Sequence, residues 1–258
     1  MDQPFQSRRN RLLELLPSSD FDRLRTYLDD VPLHYKLELY GQGKPIQFVY
    51  FPVMGVASIV NTMMDGSAAE VGTIGNEGIV GLPIVLGDTV SPCDVYVQVP
   101  GTALRMPAGL FREALESSST MRTVMLHYVN ALFNQIAQSA ACNSFHTVEQ
   151  RCCRWLLMTH DRVQSDQFIL TQEFLGMMLG ARRTSITLVA QQLKRQRFID
   201  YVRGHVTVLD RTALEKRSCE CYAVNRREFD RLLGRPHGVA AHRDNWHRDQ
   251  PDQPRQDS

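Results

Sequence analysis

Residues Thr171–Lys194 read TQEFLGMMLGARRTSITLVAQQLK, and the rest of the chain is organised around this stretch. Leu175, Leu179, Ala181, Ile186 and Val189 are spaced as two short helices crossing over one small shared core. Gly176 has no side chain to hold the second helix away. Gly180 supplies the left-handed residue that ends the first. Thr171 is placed to cap the first helix, its hydroxyl accepting from an amide of the first turn. The polar face left on the second helix comprises Arg182, Arg183, Thr184, Ser185, Thr187, Gln191 and Lys194. Such a face suits phosphates and base edges, and the pattern predicts a helix-turn-helix.

Downstream, Phe198–Asp210 predicts two strands around Arg203-Gly204, a hairpin with a basic turn. Thr212–Leu233 reads as one further helix, with Leu214, Cys221 and Phe229 among its apolar positions. Residues 234–258 are polar, Pro-punctuated and nearly free of aliphatics, which predicts a disordered tail. Upstream, His146–Val163 is helical, with Val148, Cys152, Trp155, Leu156 and Thr159 on one face. Before it lies a long segment, 120–143, without Gly or Pro. Met121, Met125, Tyr128, Leu132, Gln135 and Ser139 recur there at alternating spacings of four and three, widened by Val124, Val129 and Ile136. That is the spacing of a coiled-coil seam and predicts a dimer interface; a helix packed on its own domain gives the same pattern.

The texture from Pro32 to Pro107 differs. Turn signals recur about every ten residues, among them Lys44-Pro45, Asp65-Gly66 and Gly87-Asp88, with short apolar runs such as Ile46–Tyr50 and Val56–Val60 between them. Many short strands with regular turns predict a jelly-roll-like β-barrel. Residues 8–30 predict two helices, one striped by Leu12, Leu13, Leu15 and Leu16 and ended by Pro17, the other carrying Phe21, Leu24, Tyr27 and Leu28. Pro107–Leu115 predicts a short helix. The expected class is α+β. The β-barrel with its N-terminal helices spans 1–119, the dimerisation helix 120–143, the winged helix-turn-helix 144–233 and the tail 234–258.

Charge separates the two ends. The net charge of +1 conceals 9 Lys/Arg against 14 Asp/Glu in residues 1–120, and 20 against 14 in the remainder. A basic back half predicts that this half alone meets a polyanion. No apolar run reaches the roughly 18 residues of a membrane span, and Glu14 interrupts the N-terminal leucines, so a cytoplasmic protein is expected. The six cysteines show no framework spacing, and reduced thiols are the expectation in that compartment.

In its order of elements the chain resembles the Crp/Fnr family of bacterial transcription regulators. The resemblance is specific in FILTQEFLGMMLGARRTSITLVAQQLKRQRFI and looser in VYFPVMGVASIV and EGIVGLP. It implies a cyclic-nucleotide-binding-like barrel, a homodimer joined through the long helix, and a winged helix-turn-helix reading a palindrome in double-stranded DNA. RNA polymerase would be a further partner of an activator. By that resemblance Arg183 falls where an arginine reads guanine through two hydrogen bonds. Thr184 and Leu188 stand where the best-known members carry a glutamate and a second arginine, so the operator should differ from theirs. Arg182, Lys194, Arg203 and His205 are the phosphate candidates, with Thr171, Gln172, Ser185, Thr187 and Gln191 completing the expected DNA face.

The sensor half departs from the pattern. If Gly81 matches the family glycine, Leu82 stands at the ribose-binding glutamate. Ser91-Pro92-Cys93-Asp94 then contains no arginine for a cyclic phosphate, so cAMP is not the expected effector, and the effector stays unknown. An iron–sulfur sensor needs clustered N-terminal cysteines, and none precedes Cys93. Cys152-Cys153 and Cys219-x-Cys221 lack the usual two-residue zinc gap, so neither metal nor cofactor is expected. His34 and His127 read as structural histidines, and His237, His242 and His247 as solvated ones. Glu70 and Glu77 read as solvated loop carboxylates rather than an acid/base pair, and no enzyme is expected. A protein-interaction module using the helix-turn-helix is the alternative class; the basic back half argues against it.

Overall fold

The computed structural model describes residues 10–234 except Gln164. The expected tail beyond Gly234, with its three histidines, lies outside these residues. Among the described residues no helix is long and apolar enough to cross a membrane.

Two short helices open the described chain, α1 (Arg11–Glu14) and α2 (Ser18–Arg25). Asn10 caps α1 by accepting from the amides of Leu12 and Leu13. Its own amide donates to the carbonyls of Pro52 and Gly78, which stitches the helix to the β-domain. Leu12, Leu13 and Leu16 are buried as expected, whereas Leu15 faces outward.

The β-domain follows, with β1 (Asp29–Leu33), β2 (Glu38–Tyr40), β3 (Phe48–Thr62), β4 (Ala68–Ile74), the single-turn helix α3 (Leu82–Val85) and β5 (Asp94–Pro107). The antiparallel order is β1-β5-β3-β4, with β2 also on β5. Instead of many short strands, two long bent ones dominate. β3 takes in both Ile46–Tyr50 (from Phe48) and Val56–Val60, crossing Pro52 and Gly55 through register shifts against β5. These are bulges: proline cannot donate to the ladder, and Gly55 takes a φ of +90°. A side chain at Gly55 would lie 2.5 Å from the Val99 carbonyl oxygen.

Helix α4 (Ala108–Ser117) leads to α5 (Ser119–Phe145), at 27 residues the longest of the described elements. Ser118 caps α5 by accepting from the Met121 amide, and its hydroxyl donates to Asp20. The expected dimer seam is corrected here. Met121, Met125, Tyr128 and Leu132 are 0% exposed and Gln135 is 1% exposed, packed with Phe51, Ile79 and Phe111 of their own chain. Val124 and Ile136 are half-buried at the margin of the same core. Each fully buried Leu or Met stabilises the fold by about 1.5–3 kcal/mol, and none of these five can meet a partner. The opposite face of α5 exposes Leu126 and Phe133, the latter 67% accessible, with Ala137 and Ala140 beyond.

The C-terminal unit contains α6 (Val148–Val163), β6 (Gln167–Ile169), α7 (Gln172–Leu179), α8 (Arg183–Arg195), β7 (Ile199–Val202), β8 (His205–Val208), α9 (Arg211–Arg217) and α10 (Cys221–Leu233). A three-stranded sheet, β6-β8-β7, forms the wing. The single helix expected over Thr212–Leu233 breaks at Ser218–Glu220. Beyond the break α10 turns back onto α5, and Phe229 and Leu233 enter the N-terminal core.

Candidate functional site

The helix-turn-helix forms as its residues dictate. Thr171 accepts from the Phe174 amide at 3.2 Å, and Gly180 ends α7 in the left-handed region. A side chain at Gly176 would crowd the carbonyl oxygen of Ala181 at 3.2 Å, so this glycine makes room for the turn more than for the second helix. Leu175, Leu179, Ile186 and Leu193 bury into a core shared with Trp155, Leu156 and Val206.

That packing turns one face of α8 outward. Arg182, Arg183, Thr184, Leu188 and Gln191 are exposed, as are Arg203 and His205 on the wing. The polar side chains of this set carry no hydrogen bond or ion pair to any described residue. No side chain caps the N-terminus of α8, which leaves its first-turn amides open beside two guanidinium groups. This is an electropositive helix end suited to an anion.

Other expected contacts are engaged within the chain. Lys194 pairs with Asp200 at 2.8 Å and donates to the Tyr201 carbonyl, so it ties α8 to the wing. The Thr187 hydroxyl bonds Gln172 Oε1 at 2.9 Å, joining the two helices. Ser185 is half-buried. The wing turn is a two-residue turn with positive φ at both Arg203 and Gly204, the type I′ geometry that matches strand twist. Its tip is fixed by the Leu170 amide, which donates to the Gly204 carbonyl, and by Tyr201 Oη, which donates to the Leu170 carbonyl. Helix, turn and wing are thus one bonded unit.

The second part of the site joins this unit to the β-domain. Arg162, near the end of α6, donates to Glu77 through Nε at 3.0 Å and Nη2 at 2.7 Å, with both side chains under one-tenth exposed. The same guanidinium reaches Gln135 Oε1 on α5, whose amide donates to the Thr73 carbonyl. Arg162 holds the Glu77 carboxyl below the ordinary value despite its burial. Trp155 Nε1 donates to Glu70 at 3.1 Å, and the Ser58 hydroxyl donates to the same carboxylate. Burial pushes the Glu70 carboxyl up to about 7. Phe174 meets Tyr35 edge to face. The cavity at this seam holds about 20 Å³, room for roughly one water and not for a nucleotide.

Glu70 and Glu77 are therefore not solvated loop groups. The signal that could have found them is the glycine-rich GTIGNEG. Side chains at Gly75 and Gly78 would collide with Arg162 and Tyr128 respectively, so the loop is shaped to receive those two residues. In the β-domain, Asp94 accepts from the Gln42 amide and from Thr62, so the stretch aligned with a cyclic-phosphate cassette presents an engaged carboxylate. Cys152 and Cys153 lie in the core of the helix-turn-helix unit, and His34 and His127 are exposed.

Two family models match the chain. Residues 37–118 match the cyclic nucleotide-binding domain, and residues 150–217 match the Crp-like helix-turn-helix domain; together they cover more than half of the sequence. The chain belongs to the Crp/Fnr family. It is a transcription regulator by family, not an enzyme. Solved structures share the fold at low identity. FixK2 from Bradyrhizobium japonicum aligns with a TM-score of 0.63 and 13% identity over 74% of this chain and 98% of its own. A Crp/Fnr-family regulator from Eubacterium rectale gives 0.62 and 13% over 80% and 96%. The c-di-GMP-responsive regulator CLP from Xanthomonas campestris gives 0.60 and 12% over 74% and 99%. No curated protein matches the sequence significantly.

Proposed function

We propose that this Crp/Fnr regulator is a sequence-specific DNA-binding protein that reads a palindromic operator as a homodimer. The observation that carries the reading is the exposed, unpartnered face of Arg182, Arg183, Thr184 and Gln191 beside an uncapped helix end. In the proposed complex α8 enters the major groove, Arg183 donates two bonds to a guanine, and Arg182, Arg203 and His205 meet phosphates. Leu188, at 67% exposure, touches a thymine methyl or excludes water. Two such helices reach successive grooves roughly 34 Å apart.

The dimer is proposed to form along the outer face of α5, with Leu126, Val129, Phe133, Ala137 and Ala140, in place of the buried stripe expected first. Those positions repeat at three- and four-residue steps, as a helix-to-helix seam requires. The effector is proposed not to be cAMP, because the cassette region offers a carboxylate where a phosphate needs a cation.

Selection of bound sequences from a random DNA pool tests the reading. The expected result is an enriched palindrome with half-sites about one helical turn apart, unchanged by cAMP. Arg183→Ala should lose about 1–3 kcal/mol of preference at one base pair while salt-sensitive background binding persists. A pool that enriches nothing would remove the DNA reading.

A further inference from the structure

Four soft-ligand side chains from two separate places in the sequence converge at the joint between the two halves of the chain. Cys142 lies in the last turns of α5, and His146 caps that helix, its amide donating to the Cys142 carbonyl. Cys219 and Cys221 lie at the break between α9 and α10. The three cysteines are at most 2% exposed. Cys142 Sγ lies 3.5 Å from Cys219 Sγ, and Cys221 Sγ lies 3.5 Å from His146 Nδ1. All four ligand atoms lie within 4.8 Å of one another.

We propose that Cys142, His146, Cys219 and Cys221 bind one zinc ion, and that this ion fastens the end of α5 to the α9–α10 turn. The geometry carries the assignment. Zinc–sulfur bonds of about 2.3 Å and zinc–nitrogen bonds of about 2.0–2.1 Å place tetrahedral ligands roughly 3.5–3.8 Å apart, so the two 3.5 Å separations are already edges of such a tetrahedron. Three sulfurs and one imidazole are a donor set that favours zinc among biological divalent ions. The surroundings also suit a metal. His146 Nε2 lies 3.2 Å from Glu220, so the ring donates its proton outward and turns the Nδ1 lone pair toward the sulfurs. Gln138 Nε2 donates to Cys221 Sγ at 3.1 Å, a bond that stabilises a thiolate. With four protein ligands the coordination sphere is closed, so the site is structural rather than catalytic. The compact set fits a single ion; ligands on the two irons of a cluster must be spread wider.

The sequence spacing set Cys219 and Cys221 beside Cys152 and Cys153, but in the fold Cys152 and Cys153 lie in the helix-turn-helix core and away from this group. The neighbours of Cys219 and Cys221 are Cys142 and His146, four residues apart at the C-terminal end of α5. His146 is the residue at which α5 gives way to α6, so the ion would set the angle at which the sensor helix hands over to the DNA-facing unit.

The test is metal analysis of the full chain purified under a non-thiol reductant from zinc-supplemented cells. One zinc per chain is expected, lost in Cys142→Ser and in Cys219→Ser and retained in Cys93→Ser. Glu220→Gln should keep the site but weaken zinc about 10- to 100-fold. Cobalt(II) added to the stripped wild-type chain should give the visible absorption of a tetrahedral thiolate site, a readout that does not depend on any variant folding. Wild-type chain that takes up neither zinc nor cobalt would overturn the proposal. So would a Cys142–Cys219 disulfide in protein prepared without oxygen, or iron with inorganic sulfide in place of zinc.

Discussion

The face of α8 and the seam between α6 and the β-domain are built from the same kinds of residue and behave in opposite ways. On α8, the Arg182 and Arg183 side chains stand exposed and make no hydrogen bond or ion pair to a described residue. At the seam, Arg162 is closed on every side, by Glu77, Gln135 and the Met158 carbonyl. An exposed guanidinium keeps its donors open to water or to another molecule. A buried one, ion-paired and fully bonded, fixes geometry, because removing either partner leaves an uncompensated charge. The seam therefore determines where the α8 face is held, and the exposed side chains of that face can be changed without disturbing the seam.

The largest expected effect separates the two sides of α5. Leu132→Asp places a carboxylate in the N-terminal core, and the cost of several kcal/mol approaches a whole domain's stability of about 5–15 kcal/mol. It should prevent folding, as read by loss of the cooperative melting transition. Phe133→Asp, one residue on and 67% exposed, should fold normally and sediment as a monomer. A folded Phe133→Asp dimer would place the dimer interface elsewhere.

Next comes the seam itself. Arg162→Ala should cost about 3–5 kcal/mol in chemical denaturation, and Glu77→Ala a similar amount. The double variant should recover part of that loss, since the two residues are directly coupled. Losses below about 1 kcal/mol with additive behaviour would make the pair incidental, and the α8 face would then depend on α5 and α10 for its placement.

These two regions were not equally legible in the sequence. The helix-turn-helix and its wing are local: cap, left-handed glycine, apolar steps and the Arg203-Gly204 turn sit within a few residues of one another, and each has one physical reading. The seam is assembled across distance. Glu77 and Arg162, like Glu70 and Trp155, lie 85 residues apart. No window of sequence contains both members, and a carboxylate alone reads as solvated. The α5 stripe failed for another reason. Its period identifies a buried face but not which body covers it, and its own β-domain covers it here. The thiol–imidazole group was hidden by the break at Ser218–Glu220, which a helical reading of 212–233 passes over.

A smaller effect concerns pH. The Glu70 carboxyl is raised to about 7 by burial, from an ordinary 4.5. Between those values the folded protein holds a proton that the unfolded chain has released, so stability falls as pH rises through this window and levels off above it. Glu70→Gln, which keeps the neutral shape, should flatten that slope. Relative to the wild type it should gain about 1–3 kcal/mol between about pH 5 and pH 8, a range discounted for the partial exposure of the side chain. Parallel denaturation curves at the two pH values would show instead that Glu70 ionises freely. The seam would then be insensitive to pH.

The smallest effect tests whether the helix-turn-helix unit can loosen while the seam holds. Thr171 caps α7 through one hydrogen bond to the Phe174 amide, and its methyl group lies beside the wing turn. Thr171→Ala should remove about 1 kcal/mol and Thr171→Ser much less, because the serine hydroxyl can still accept from the same amide. Since α7 is short and the loss is confined to its first turn, the change should appear as faster hydrogen exchange at Phe174 and Leu175. Exchange at Gln135 and Arg162 should stay as slow as in the wild type. If exchange quickened equally at both places, the face and the seam would open as one cooperative unit. Fixed geometry at Arg162 would then be inseparable from the order of the α8 face.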